Sequence, residues 1–312
     1  MDKNQSILVL GSNGLVGSAL VRELNKQGYE NILTPKRKTL DLLDKNKVQS
    51  YFTQLSPQYV FLAAAKVGGI MANKTYPATF GYENTTITLN VLEAARNTAS
   101  VKKLLFLGSS CIYPKDAETP IREDSLLSGK LEPTNELYAL SKILGIKMCQ
   151  AYCQQYGCDF ISCMPCNLYG PNDNFDPHNS HVLPAFIKRI YEAKEYGTPS
   201  ITCWGDGTPL REFLYVDDLA RACIFLIDNY SESETVNVGP GIDISIGDLS
   251  KKIASIIGYE GRILWDKSKP NGTMKKTLDI SKIKKLGWTP SVALDDGLKS
   301  TIDWYVSQVG KK

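Results

Sequence analysis

The stretch Gly11-Ser12-Asn13-Gly14-Leu15-Val16-Gly17 limits what this chain can fold into more than any other feature. It follows a short apolar run at 7–10 and opens an amphipathic run at 15–27 that reads as a helix. Glycines three apart at a strand–turn–helix junction let the backbone approach a pyrophosphate, which then sits on the unpaired N–H groups of the helix start. The alternation continues, with strands at 31–34, 59–62, 103–107 and 159–164 and helices at 45–54, 79–96 and 135–156. Strands separated by helices of this length are βαβ units, and right-handed crossovers wind them into one parallel sheet. The expected class is α/β: a Rossmann doubly wound parallel sheet with a smaller α/β substrate lobe.

The second lobe is expected because 312 residues exceed what one core ordinarily serves. Residues 171–181 are polar and turn-rich, and helices at 182–196 and 246–258 flank a return to strand–helix form over 211–228. The expected division is 1–170 plus 209–232 for the dinucleotide domain and 171–208 plus 233–312 for a discontinuous substrate lobe.

Composition narrows the partners. A net charge of +3 is too small to point to nucleic acid or a membrane surface. No window approaches 18 consecutive apolar residues, and the first residues lack a signal-peptide pattern, so a soluble cytoplasmic protein is expected. Its eight cysteines are then expected to be reduced. Cys163 and Cys166 form a CxxC, but in a strand they point to opposite faces and no second ligand pair has the right spacing; no metal is expected.

Arg37 lies 20 residues beyond Gly17, between Lys36 and Lys38. An acidic residue there would hold the ribose 2′-hydroxyl of NAD, whereas an arginine accepts the 2′-phosphate of NADP; the expected cofactor is NADP(H). Asp41 and Leu42, a few residues on, are candidates for the adenine, with a helix cap as the other reading of Asp41.

Tyr138-Ala139-Leu140-Ser141-Lys142 places a tyrosine and a lysine on one helical face. A nearby ammonium is expected to favour tyrosine ionisation, so that it exchanges a proton near neutral pH. Ser109 follows the strand before that helix, and ligands of open α/β sheets bind at such strand ends. Glycine loop, strand-end serine and Tyr-x-x-x-Lys, in that order, point to a reductase.

Here the chain resembles the extended short-chain dehydrogenases and, more narrowly, the GDP-L-fucose synthase family. The resemblance is carried by Ala63-Ala64-Ala65-Lys66-Val67-Gly68-Gly69-Ile70, Gly108-Ser109-Ser110-Cys111-Ile112-Tyr113-Pro114 and Leu131-Glu132-Pro133-Thr134-Asn135-Glu136. It continues through Asn167-Leu168-Tyr169-Gly170-Pro171, Asn174-Phe175, Asn179-Ser180-His181-Val182 and Arg211-Glu212-Phe213-Leu214. It implies that Ser109, Tyr138 and Lys142 are a reductase triad, and that Cys111 and His181 are the base and acid of two epimerisations. It also implies a cofactor set of Gly11 to Gly17, Arg37, Asp41, Leu42, Leu107, Lys142, Pro165, Asn167, Leu168 and His181. Arg189, Trp204, Arg211, Asn271 and Lys276 match positions of a GDP-sugar site. Asn13 stands where many members carry an arginine that grips the cofactor. The superfamily's two-fold helix pairing implies a homodimer through 79–96 and 135–156.

The chemistry suits those residue types. A 4-keto sugar has acidic protons at C3 and C5, and inverting both centres needs a base and a proton donor with pKa values near neutral, which a thiol and an imidazole supply. Ser109 and Cys111 are two apart, so continued extension would turn both to one side. Outside this context a cysteine after a strand is usually packing and a loop histidine usually solvated. The implied substrate is a GDP-linked 4-keto-6-deoxy sugar. Three alternatives stand beside it: a relative acting on a colitose or heptose precursor, an NAD-dependent nucleotide-sugar 4-epimerase, and a non-catalytic redox sensor. Arg37 speaks against the second, and the intact triad against the third.

Overall fold

The computed structural model describes the chain apart from residues 177–178, 270, 272 and 311–312 and the side chain of residue 70. Its first half builds the sheet as the alternation predicts. In chain order come β1 (Ile7–Leu10), α1 (Leu15–Lys26), β2 (Ile32–Leu33), α2 (Lys45–Leu55), β3 (Tyr59–Leu62), α3 (Ile70–Thr75), α4 (Pro77–Arg96), β4 (Lys103–Leu107), α5 (Glu136–Tyr156) and β5 (Phe160–Pro165). β1 and β4 are buried at every position because helices cover both faces of the sheet. α1 turns Val16, Ala19, Leu20, Glu23 and Leu24 inward, one face of a 3.6-residue period. α1 packs on α7 (Val216–Asn229), and α4 packs on both α2 and α5, giving two helical layers.

The sheet has six parallel strands in the order β10-β5-β4-β3-β1-β2, where β10 is Val236–Val238. The order reverses between β3 and β1. All six carboxyl ends meet at one edge, and the reversal opens a crevice there.

The sixth strand comes from a stretch the sequence reading gave to the smaller lobe. Ile280, Ile283 and Trp288, around α9 (Ser281–Leu286), also pack into the main core. Three residues such as Val236-Asn237-Val238 are too few for a period to register. The six-residue α3 and the two-residue strands at 210–211, 244–245 and 275–276 escaped for the same reason, whereas β2 falls within the strand expected at 31–34.

A second core gathers Leu183, Phe186 and Ile190 of α6 (Val182–Glu195), Leu249 and Ile253 of α8 (Ile246–Ile257) and Leu298 and Ile302 of α10 (Leu294–Val309). Its strands come in small groups. β7 (Ser200–Trp204) pairs with β12 (Arg262–Asp266), and β8 (Leu210–Arg211) lies between β11 (Ile244–Ser245) and β13 (Lys275–Lys276). β6 (Asn167–Tyr169) pairs with β9 (Phe213–Tyr215) and links the two cores. Among the described residues no helix is long and apolar enough to cross a membrane.

Candidate active site

The glycine loop sits at the reversal of strand order. Gly11 has φ +89°, and a Cβ there would lie 2.7 Å from the Ala64 nitrogen at the end of β3. A Cβ on Gly17 would lie 2.1 Å from the Gly11 carbonyl oxygen. Both positions therefore require glycine: Gly11 for the left-handed turn, Gly17 for close packing of helix on loop. Gly14 caps α1 without a side-chain bond, which leaves the first N–H groups of Leu15, Val16 and Gly17 facing the crevice beside Ser12 and Asn13. That cradle fits a dinucleotide pyrophosphate.

Beyond β2, Lys36, Arg37 and Lys38 are exposed, and Arg37 has no ion pair or side-chain hydrogen bond among the described residues. A free guanidinium at that strand end fits a 2′-phosphate. Asp41 is not a helix cap. It accepts from Leu43 N at 3.1 Å and shapes the turn, while Asp44 caps α2. The Leu42 carbonyl accepts from Asn90 Nδ2 at 2.9 Å, fixing this stretch to α4.

The triad residues meet at the ends of β4 and α5. Lys142 is buried and donates from Nζ to the Leu107 carbonyl at 2.7 Å. Burial lowers its pKa to about 8. Ser109 lies near the Tyr138 hydroxyl, and the Tyr138 ring meets Phe80 edge-on at 6.4 Å. The Tyr138 pKa is raised, chiefly by burial and then by the charge of Cys111, with Ser109 opposing both. This corrects the expected acidification. Lys142 Nζ lies 5.9 Å from the Tyr138 ring centre and spends itself on Leu107, so the phenol stays protonated, the form needed by a proton donor.

Extension does not persist from Ser109 to Cys111, which corrects the same-side argument. Ser109 is extended, and Ser110–Ile112 then forms a 3₁₀ turn capped by Ser109, whose Oγ accepts from Cys111 N at 3.3 Å. The turn, rather than strand periodicity, brings Cys111 next to Tyr138.

His181 is the N-cap residue of α6, is exposed, and makes no capping bond with its side chain. Partial desolvation by the surrounding chain holds its pKa below the ordinary imidazole value, which favours the neutral ring near pH 7. Its loop is tied to the start of α3, where Gly69 N donates to the Asn179 carbonyl at 3.0 Å. Among the described residues no hydrogen bond joins His181 to Cys111 or Tyr138.

Pro165 ends β5 and is buried, and Leu168 is half-buried. Asn167 is exposed and donates from Nδ2 to the Glu212 carbonyl at 2.9 Å, linking the cofactor edge to the second core. There, parallel pairing of β13 with β8 sets Lys276 beside Arg211. Arg211 is partly buried, which lowers its pKa, and NH1 donates to the Leu210 carbonyl at 2.8 Å. Two adjacent cations suit a diphosphate. Trp204 is 61% exposed with Lys269 Nζ 5.9 Å from its ring, a flat apolar face that suits a base. Arg189 donates to the Thr202 carbonyl and so packs beside that strand. Asn271 uses Oδ1 to accept from Asp206 N at 2.9 Å and braces the turn after Trp204.

Glu212 escaped the sequence reading except as part of a motif. It is 0% exposed, accepts from Gly241 N at 2.8 Å and Leu278 N at 2.6 Å, and burial raises its pKa to about 7. The legible signal was a carboxylate flanked by the apolar run that follows it.

The fold and site define a dinucleotide-dependent enzyme of the extended short-chain type, and the chain belongs to the NAD dependent epimerase/dehydratase family, whose sequence model matches residues 7–239. It is similar to GDP-L-fucose synthase 1 of Arabidopsis thaliana, with 56% identity over 99% of this chain and 95% of that protein. It is similar to the GDP-L-fucose synthase of Escherichia coli, with 48% identity over 97% of each. Among solved structures, a GDP-L-fucose synthetase from Naegleria fowleri bound to NADP superposes with a TM-score of 0.93 at 30% identity, covering 99% of this chain and 95% of that one.

Proposed function

We propose that the chain converts GDP-4-keto-6-deoxy-D-mannose to GDP-L-fucose by epimerisation at C3 and C5 and NADPH-dependent reduction at C4. The observation that carries this reading is the joining of Cys111, Ser109, Tyr138 and Lys142 in one cluster at the sheet edge, beside the Gly11–Gly17 cradle. Similarity to GDP-L-fucose synthases of a plant and a bacterium over nearly the whole chain supports the sugar.

Arg211 and Lys276 hold the diphosphate and Trp204 stacks on the guanine. The 4-keto group acidifies C3–H and C5–H. Cys111 and His181 face those protons from opposite sides, one removing a proton as base while the other, holding a proton, returns one as acid, and Ser109 and Tyr138 donate hydrogen bonds to the C4 oxygen as negative charge collects there. NADPH, when bound, supplies the hydride that C4 receives. Tyr138 then gives its proton to the C4 oxygen, completing the alcohol. Arg37 selects the 2′-phosphate, so Arg37→Ala weakens NADPH about tenfold, roughly 1.4 kcal/mol, and spares NADH. Equal NADPH and NADH affinities in the wild type would contradict that role.

The protein acts as a cytoplasmic homodimer in this reading. Tyr82 on α4 and Leu137 and Leu140 on α5 are exposed on adjoining helices, an apolar stripe suited to a two-fold four-helix interface. Eight free cysteines fit a reducing compartment. The test is incubation with GDP-4-keto-6-deoxy-D-mannose and NADPH, with the product identified by NMR and the assembly sized by light scattering. GDP-L-fucose and a dimer are expected. Turnover of a colitose or heptose precursor alone, or no NADPH oxidation, would overturn the assignment.

A further inference from the structure

Tyr113 directly follows the turn that carries Cys111 and is 1% exposed. Its hydroxyl donates to Asn237 Oδ1 at 2.6 Å. Asn237 lies on the edge strand β10 and is 0% exposed, with Nδ2 donating to the Ile121 carbonyl at 2.9 Å and the Asp279 carbonyl at 3.1 Å. One amide thus spends its acceptor on Tyr113 and both donors on two separate chain segments. The run of bonds continues: Ile121 N donates to the Thr277 carbonyl at 2.8 Å, and Leu278 N donates to Glu212 Oε2 at 2.6 Å. Thr277 and Leu278 follow Lys276, and Glu212 follows Arg211. Buried hydrogen bonds therefore run from the Cys111 turn to the strands that carry the two cations.

Packing alone does not require this. A buried neutral hydrogen bond contributes only about 0.5–1.5 kcal/mol net, and a phenylalanine would fill almost the same volume. What a tyrosine–asparagine bond adds is direction. The turn at Ser110–Ile112 is one turn long, and Ser109 holds its other end twice, with Oγ accepting from Cys111 N at 3.3 Å and the carbonyl accepting from Ile112 N at 3.2 Å. A turn this short takes its position from the anchors at its two ends, Ser109 before it and Tyr113 after it.

We propose that Tyr113 is a positioning residue for Cys111: its bond to Asn237 sets the reach of the thiol relative to the Arg211–Lys276 pair that holds the substrate. This inference rests on the substrate reading above. Tyr113 touches neither sugar nor cofactor; it acts through the turn.

The test is Tyr113→Phe, which removes one oxygen atom. Solvent deuterium exchange at C3 and C5 of the keto sugar is expected to fall about tenfold, since small misplacements of a reacting group carry losses of that order. NADPH affinity is expected to stay at the wild-type value, and reduction of a sugar already epimerised to fall much less than exchange. A second readout needs no substrate. Iodoacetamide labelling of Cys111, followed by peptide mass spectrometry, is expected to run about threefold faster in the variant, because a loosened turn opens more often. Wild-type rates of both exchange and labelling would overturn the proposal. So would equal losses in exchange and reduction that track a lowered thermal midpoint, since these mark a purely structural bond. If the wild type leaves this keto sugar untouched, the substrate reading fails, and the labelling comparison still decides the role of Tyr113.

Discussion

At the edge of the main sheet, β1, β3, β4 and β5 each pair with a neighbour over four positions before delivering Gly11, Ala63, Ser109 and Asn167 to the crevice. In the second core, Arg211 and Lys276 ride on strands that pair over two positions. The first site is placed by backbone continuous with a large core, so its demands fall on glycines and on residues at strand ends. The second is placed by a thin sheet whose support comes from side chains, above all the carboxylate of Glu212. One edge is fixed by the ladder that precedes it; the other depends on polar bonds from elements distant in sequence.

Gly17→Ala tests the first half of that contrast and carries the largest expected effect. Its methyl group would need to displace the Gly11 carbonyl from 2.1 Å, which moves the loop itself. NADPH binding is expected to weaken about 100-fold or more by calorimetric titration. Near wild-type affinity would mean that the loop yields and that the edge is softer than described.

Arg211→Ala tests the second half. Loss of one charge-assisted contact of about 1.5–3 kcal/mol raises KM for the GDP-sugar about 10–100-fold, with a smaller change in kcat and none in NADPH affinity. Parallel losses in both ligands would erase the division between the two regions.

The smallest effect concerns their joint. Burial raises the Glu212 pKa from 4.5 to about 7, so the fold prefers the neutral acid. Its contribution to stability is fully present below about 4.5 and is lost as pH rises through about 7. Relative to Glu212→Gln, the wild type is expected to lose on the order of 1 kcal/mol between pH 5 and 8 in urea titrations. Identical slopes for the two proteins would remove Glu212 as a titrating brace.

The same contrast explains what the sequence disclosed. The βαβ alternation, the glycine loop and Tyr138 with Lys142 were legible because helix and strand periods repeat over many residues and each residue type answers a local backbone demand. β10 was not, since three residues carry no period. The joining of Ser109 and Cys111 was expected for a reason the structure replaces: a capped turn instead of continued extension. Lys142 stands on the expected face but turns its ammonium to Leu107, a partner 35 positions away that no spacing reveals. Asn237 sits between two valines and Glu212 between Arg211 and an apolar run, and their long-range partners give them meaning.

The most direct test separates the two chemistries assigned to one cleft, using GDP-4-keto-6-deoxy-D-mannose and NADPH in deuterium oxide with Cys111→Ser and Tyr138→Phe. Cys111→Ser is expected to lose deuterium exchange at C3 and C5 by about 10²–10⁴-fold while NADPH affinity holds. Tyr138→Phe is expected to keep exchanging while NADPH oxidation falls by a similar factor. Exchange at wild-type rates in Cys111→Ser, or loss of both activities together in Tyr138→Phe, would contradict the division of labour between thiol and phenol.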